Sequence, residues 1–120
     1  MNIFIPYRFT TLNEYINAER TNKFIASKIK KSETKIAAFY AKKHKNDIKM
    51  LKYPLTMLFT WHLKNKKVDP DNISFSKKFI LDGLVLAGCI DNDGQNQIKG
   101  FCDSFIQANL EGVNVEIIET

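Results

Sequence analysis

The residues with the clearest chemical potential are aspartates, set in two short strings, Asp69-Pro70-Asp71-Asn72 and Asp91-Asn92-Asp93-Gly94. Carboxylates suit Mg²⁺, a hard cation that takes oxygen ligands and keeps several of its waters. A metal held in this way can activate water and stabilise charge on phosphoryl oxygens, which is what phosphodiester hydrolysis requires. Asp69 and Asp71 flank a proline whose fixed φ lowers the entropy cost of holding them. Other metal chemistries fit less well. An EF-hand loop needs glycine at its sixth position and glutamate at its twelfth; counted from Asp69 those places hold Ser74 and Ile80, and counted from Asp91 they hold Asn96 and Cys102. His44, His62, Cys89 and Cys102 show no zinc-ligand spacing, and His62, beside Trp61, reads as a satisfied strand-end histidine. There is no P-loop, nucleophile elbow or dinucleotide fingerprint.

The rest of the chain surrounds these aspartates with opposite charge. Residues 1 to 67 hold fifteen Lys/Arg against four Asp/Glu, and residues 68 to 120 hold three against nine. A basic segment attracts phosphates by releasing counterions, whereas carboxylates beside phosphates are repelled unless a cation lies between them. The segregation therefore points to a metal-dependent nuclease. Cys89 and Cys102, the only cysteines, read as reduced structural thiols of an intracellular protein. The N-terminus has no basic n-region and reads as a strand rather than a signal peptide. The run Phe79 to Ile90 contains Asp82 and is shorter than the roughly 20 residues that span a bilayer. A cytoplasmic location is expected.

At 120 residues, 44% of them hydrophobic, residues 1–120 are expected to form a single domain. Residues 1–5 read as a strand ended by Pro6. Thr11 and Glu14 have the capping-box spacing for a first helix. A longer helix is expected over about 21–43, with Ile25, Ile29, Ile36 and Tyr40 facing inward and Lys23, Lys30, Lys31, Lys35 and Lys42 outward. The alternation of Leu55, Met57, Phe59 and Trp61 predicts a central strand. The Asp69-Pro70-Asp71-Asn72 string leads into one helix, capped by Asp71 or Asn72, that runs to about Ala87 and stops at Gly88. Residues 97–106 and 113–119 read as two strands, joined through Asn109-Leu110-Glu111-Gly112 as a hairpin. The order β-α-α-β-α-β-β predicts an α/β or α+β fold with one mixed sheet against helices.

In order, Asp69-Pro70-Asp71-Asn72-Ile73, then Lys77-Lys78-Phe79-Ile80-Leu81-Asp82-Gly83-Leu84, then Ala87-Gly88 and Asn92-Asp93-Gly94 resemble the RusA family of Holliday junction resolvases. The phage and prophage branch is the nearest in character. The resemblance covers about residues 53 to 106, and Thr11 to Arg20 is similar to that branch's N-terminal segment. It implies a homodimeric endonuclease, dependent on Mg²⁺ or Mn²⁺, that cuts four-way DNA junctions symmetrically. Asp69, Asp71 and Asp93 match the family's metal-binding, catalytic aspartates. The essential lysine is displaced by three extra residues: counting back from Asp82 selects Lys78, and counting forward from Asp71 reaches Phe75. In a continuous helix, seven residues are close to two turns, which places Lys78 on the face of Asp71 and turns Lys77 away. Lys78 would contact a phosphate. Asp91 reads as a turn residue, and Asp82 as a structural hydrogen-bonding partner of the backbone or Lys78. Gln95 stands where relatives often carry Trp.

Charge, position and resemblance together select Asn13, Arg20, Lys23, Lys30, Lys66 and Lys67 as DNA-contacting residues. A continuous helix over 73–86 would carry the chain about 21 Å from Asp71. A full return to Asp93 would need a nearly extended chain. The expectation is therefore a site shared across a two-fold axis, Asp69 and Asp71 of one subunit facing the other subunit's third aspartate. Two alternatives stay open: a non-catalytic nucleic-acid-binding or dimeric scaffold protein, and a metal nuclease acting on flaps or RNA.

Overall fold

In the computed structural model, which describes residues 1–120, the aromatic and apolar run after Pro54 forms the strand around which everything else is arranged. This strand, β2 (Leu55–Leu63), buries Leu55, Met57, Phe59 and Trp61 on one face at every second residue. The remaining strands are β1 (Asn2–Ile5), β3 (Ile98–Gln107) and β4 (Gly112–Glu119). The sheet order is β1-β4-β2-β3, with β2 and β3 parallel and the other pairs antiparallel. The fold is thus α+β with one mixed four-stranded sheet, as the element order predicts.

The predicted hairpin is not present: β2 lies between β3 and β4. Leu63 pairs with Gln107 while His62 pairs with Gly112, so residues 108–111 step over the end of β2. Crossing two strand spacings of about 4.8 Å is within reach of a four-residue link. The physical reason is that β2 buries more apolar side chains than any other strand and gains most from partners on both edges. Parallel pairing of β2 with β3 then requires a helical crossover between them.

Helices cover one face of the sheet: α1 (Leu12–Thr21), α2 (Lys23–Lys42), α3 (Lys45–Lys49), α4 (Pro70–Ser74) and α5 (Lys77–Leu86). The capping box of α1 is complete, with Thr11 Oγ1 accepting from the Glu14 N–H and Glu14 accepting from the Thr11 N–H. Burial pushes the Glu14 carboxyl up, but hydrogen bonds from Thr11 and Arg8 outweigh it and hold the group below the ordinary glutamate range.

The inward face of α2 differs from the expectation. Ala26, Glu33, Ala37 and Ala41 are its buried residues, while Ile25 is exposed and Ile36 and Tyr40 are half-buried. Small residues win because α2 lies directly against α5 at Gly83. A Cβ on Gly83 would stand 2.5 Å from Ala37 Cβ and 2.9 Å from the Thr34 carbonyl oxygen. Glu33 is only 3% exposed and has no cationic partner. Its carboxylate instead accepts from the Thr10 N–H at 2.8 Å, the Thr10 hydroxyl and the Tyr7 hydroxyl, tying the segment between β1 and α1 to α2. Burial first, and then the Glu33 charge, raise the Tyr7 hydroxyl above the ordinary tyrosine range. No helix is long and apolar enough to cross a membrane.

Candidate functional site

Beyond the end of β2, residues 64–68 carry the chain to Asp69, which is extended (φ −68°, ψ 148°) and stands at the N-cap of α4 with Pro70 first in the helix. The Asp69 carboxylate makes no capping bond; the turn is closed by its main-chain oxygen, which accepts from the Asn72 and Ile73 N–H groups. Asp69 and Asp71 are therefore exposed, with both carboxylates open to solvent. Buried Ile73 anchors this turn to the core. Asn72, expected as a possible cap, uses its Oδ1 to accept from the Asn13 N–H at 2.8 Å. That bond joins the start of α1 to the aspartate turn and places exposed Asn13 beside it.

The single helix expected from about residue 71 to 87 is two helices, separated at Phe75 and Ser76. Ser76, 1% exposed, turns its hydroxyl back to donate to the Ile73 carbonyl. The helical-phase relation between Asp71 and Lys78 therefore does not apply, because no continuous helix connects them. The structure distinguishes the two lysines in another way. Lys77 Nζ lies 2.6 Å from Asp103 Oδ2, over the Phe101 ring at 4.6 Å and the Phe59 ring at 5.2 Å. Trp61 Nε1 donates to the other Asp103 oxygen at 2.9 Å. Lys77 is thus enclosed, its side chain 15% exposed, whereas that of Lys78 is 55% exposed.

Lys78 Nζ donates to Asp82 Oδ1 at 2.9 Å and reaches Asp93 Oδ2 at 3.5 Å. The Asp82 hydrogen bond foremost, with both carboxylate charges, raises the Lys78 ammonium above the ordinary lysine range. Asp82 thus has the structural role expected of it. Asp93 arrives there through a reversal after α5. Gly88 takes a left-handed φ of 76°, and the Cys89 N–H donates to the Leu84 carbonyl at 2.9 Å, which ends the helix in a Schellman-type turn. The Asp91 N–H then donates to the Tyr53 hydroxyl at 3.1 Å, and Asn92 Oδ1 accepts from the Asp93 N–H at 2.9 Å. Asp91 is exposed and takes part in the turn through its backbone, while Asp93 is half-buried.

This return corrects the distance argument made from the sequence. The loop does travel back along α5, far enough for Asp93 to meet Lys78, and the break at Phe75 and Ser76 removes the long rigid rise. Within the chain, however, no three His, Cys, Asp or Glu side chains converge as a metal-ligating group. Asp93 joins Lys78 and Asp82; Asp69 and Asp71 form a separate pair at α4.

The basic candidates are distributed similarly. Lys66 lines a cleft of about 240 Å³ with Val68, Pro70 and Ile73, beside the aspartate turn, and the Lys67 N–H is held by Asn65 Oδ1. Lys30 lines a groove that contains Asp82. Arg20 and Lys23 are exposed at the junction of α1 and α2. His62 packs edge-on to Phe4 at 5.3 Å, as befits a residue of the strand surface.

Sequence reasoning missed Asp103 and Tyr53. Asp103 had a signal: it alternates with Phe101 and Phe105, so a strand reading places a carboxylate in an inward register, where it needs a partner. Tyr53 had none, because its partner lies 38 residues away. The chain matches no protein-family model and no curated protein.

Proposed function

We propose that this chain is a metal-dependent nuclease. Within that class, the resemblance to RusA-type enzymes selects a Holliday junction resolvase that hydrolyses phosphodiesters in four-way DNA. The observation that carries the reading is the meeting of Lys78 with Asp93, a cation and a carboxylate 15 residues apart that both belong to the matching strings.

The donor chemistry of Asp69, Asp71 and Asp93 fits a hard divalent cation, since ionised carboxylates are pure acceptors and one or two suffice beside phosphate and water ligands. Such a cation would lower the pKa of a bound water and stabilise charge on the phosphoryl oxygens. The chain's own residues supply the rest. Asp82 holds the Lys78 ammonium in place; of its three N–H donors, two are directed at Asp82 and Asp93, which leaves one for a phosphate oxygen. Tyr53 fixes the loop that presents Asp93.

A homodimer with the site shared between subunits accounts for three carboxylates that stand apart in one chain. Mixed dimers of Asp71→Asn and Asp93→Asn, each inactive alone, test this: recovered nicking supports sharing, and no recovery counts against it.

A non-catalytic nucleic-acid-binding protein is the second reading: the six lysines of α2 attract phosphates without any metal. Four-way junction, linear duplex, flap and RNA substrates, each assayed with Mg²⁺ and with Mn²⁺, separate the readings. Preferential nicking of the junction supports the resolvase; equal cleavage of flaps or RNA supports a different metal nuclease; binding without cleavage supports the binder.

A further inference from the structure

Helix α2 carries six lysines over its 20 residues and a single carboxylate, Glu33. Glu33 is buried and satisfied by Tyr7 and Thr10, so the exposed surface of α2 has charge of one sign only. A solvating surface ordinarily mixes signs. On one side of α2, Ser27, Lys30, Lys31, Thr34 and Lys35 recur at helical spacing and line a groove of about 380 Å³ against α5, closed on its far side by Asp82 and Leu86. None of Lys30, Lys31 and Lys35 is in an ion pair, and neither Ser27 nor Thr34 donates its hydroxyl within the protein. The one carboxylate in the groove, Asp82, is held by Lys78, the residue that also reaches Asp93.

We propose that this α2–α5 groove binds the sugar-phosphate backbone of a DNA strand and leads it to the Lys78–Asp93 end of the candidate site, with Lys31, Lys35, Ser27 and Thr34 joining Lys30 as phosphate contacts. The proposal rests on the DNA-binding half of the nuclease reading and extends it to a path across the surface. From Ser27 to Lys35 the stripe is about 12 Å long. With one phosphate per strand for each 3.4 Å or so of duplex, that length faces about three phosphates. The groove contains no aromatic ring and no amide side chain, so it follows the backbone and does not read bases.

The test is equilibrium binding of a fluorescent four-way DNA junction without divalent metal, followed by anisotropy across a salt series. It compares wild type with Lys30→Ala/Lys31→Ala/Lys35→Ala, the corresponding triple arginine variant, and Lys49→Ala/Lys52→Ala/Lys99→Ala, a charge-matched control away from the groove. Each lost phosphate contact should reduce the slope of log K against log salt by about 0.9. The groove variant should therefore lose about two to three units of slope and at least tenfold in affinity near 0.15 M salt, while the arginine variant and the control stay close to wild type. A groove variant with wild-type affinity and slope overturns the path and leaves the nuclease reading intact, as does an equal loss in the control. Binding by wild type with the expected losses, but no cleavage when Mg²⁺ is added, supports the path and overturns the nuclease. A wild-type protein that binds no DNA overturns both.

Discussion

Gly83 is where two opposed effects can be weighed with numbers. It lies within α5, where replacing glycine by alanine ordinarily favours the helix by about 1 kcal/mol. Here the added methyl would stand 2.5 Å from Ala37 Cβ, 2.8 Å from the Ala38 nitrogen and 2.9 Å from the Thr34 carbonyl oxygen. Two of those three neighbours are backbone of α2 and cannot rotate away, so the helices must separate. Overpacking of this kind costs about 1–3 kcal/mol, and contacts this close belong at the upper end. The net expectation for Gly83→Ala is a loss of about 1–2 kcal/mol, or a Tm lower by roughly 4–8 °C in a domain of this size. Adding Ala37→Gly removes only the Cβ contact, leaves both backbone contacts, and costs α2 about 1 kcal/mol of helix propensity, so it should not restore the loss. Thermal melting by circular dichroism measures both variants. A Gly83→Ala protein more stable than wild type would show that helix propensity wins and that α2 and α5 are not in the close contact described. Because Lys78 and Asp82 are on α5 and the lysine stripe is on α2, the same variant should also weaken junction binding.

Lys78→Met should abolish most nicking with little change in Tm, since its exposed ion pairs contribute no more than about 1 kcal/mol. Lys77→Met should do the reverse and lower Tm, because it leaves the Asp103 carboxylate bonded only to Trp61; melting and nicking assays on both variants check the contrast. Tyr53→Phe removes the hydroxyl that accepts from the Asp91 N–H and should slow nicking several-fold at unchanged stability, read from single-turnover rates. Glu14→Gln keeps the capping geometry and removes the charge. The Glu14 carboxyl is held below its unfolded value, so its contribution is complete above about pH 4.5 and is lost as pH falls through the folded value. The stability gap between wild type and Glu14→Gln, measured by urea melts, should therefore be constant from pH 7 to 5 and close at lower pH.

Local chemistry was the legible part of this chain. The capping box at Thr11 and Glu14, the alternation of β2 and the glycine stop after α5 each depend on residues within a few positions of one another. What escaped is non-local. The inward face of α2 is alanine because a glycine more than forty positions away lets α5 approach, and no pattern within α2 favours Ala37 over Ile36. The link over 108–111 has hairpin chemistry, but β2 competes for both edges and separates the strands. In the candidate site, the types of Asp69, Asp71, Lys78 and Asp93 were readable, and the hydrogen-bonding role of Asp82 was readable with its partner left open between the backbone and Lys78. The break at Ser76 was not, because its cause is a buried hydroxyl returning to the Ile73 carbonyl. That break, together with the Tyr53 bond, governs where Asp93 lies.

If these aspartates serve metal-dependent cleavage of branched DNA, both the metal and each carboxylate must be needed for nicking. The most direct test is nicking of a synthetic four-way junction by purified wild type, Asp71→Asn and Asp93→Asn, with Mg²⁺ and with chelator. Wild type should make paired nicks only with the metal, and both variants should bind the junction without nicking it. Nicking that persists in chelator, or in either aspartate variant at the wild-type rate, would contradict that role.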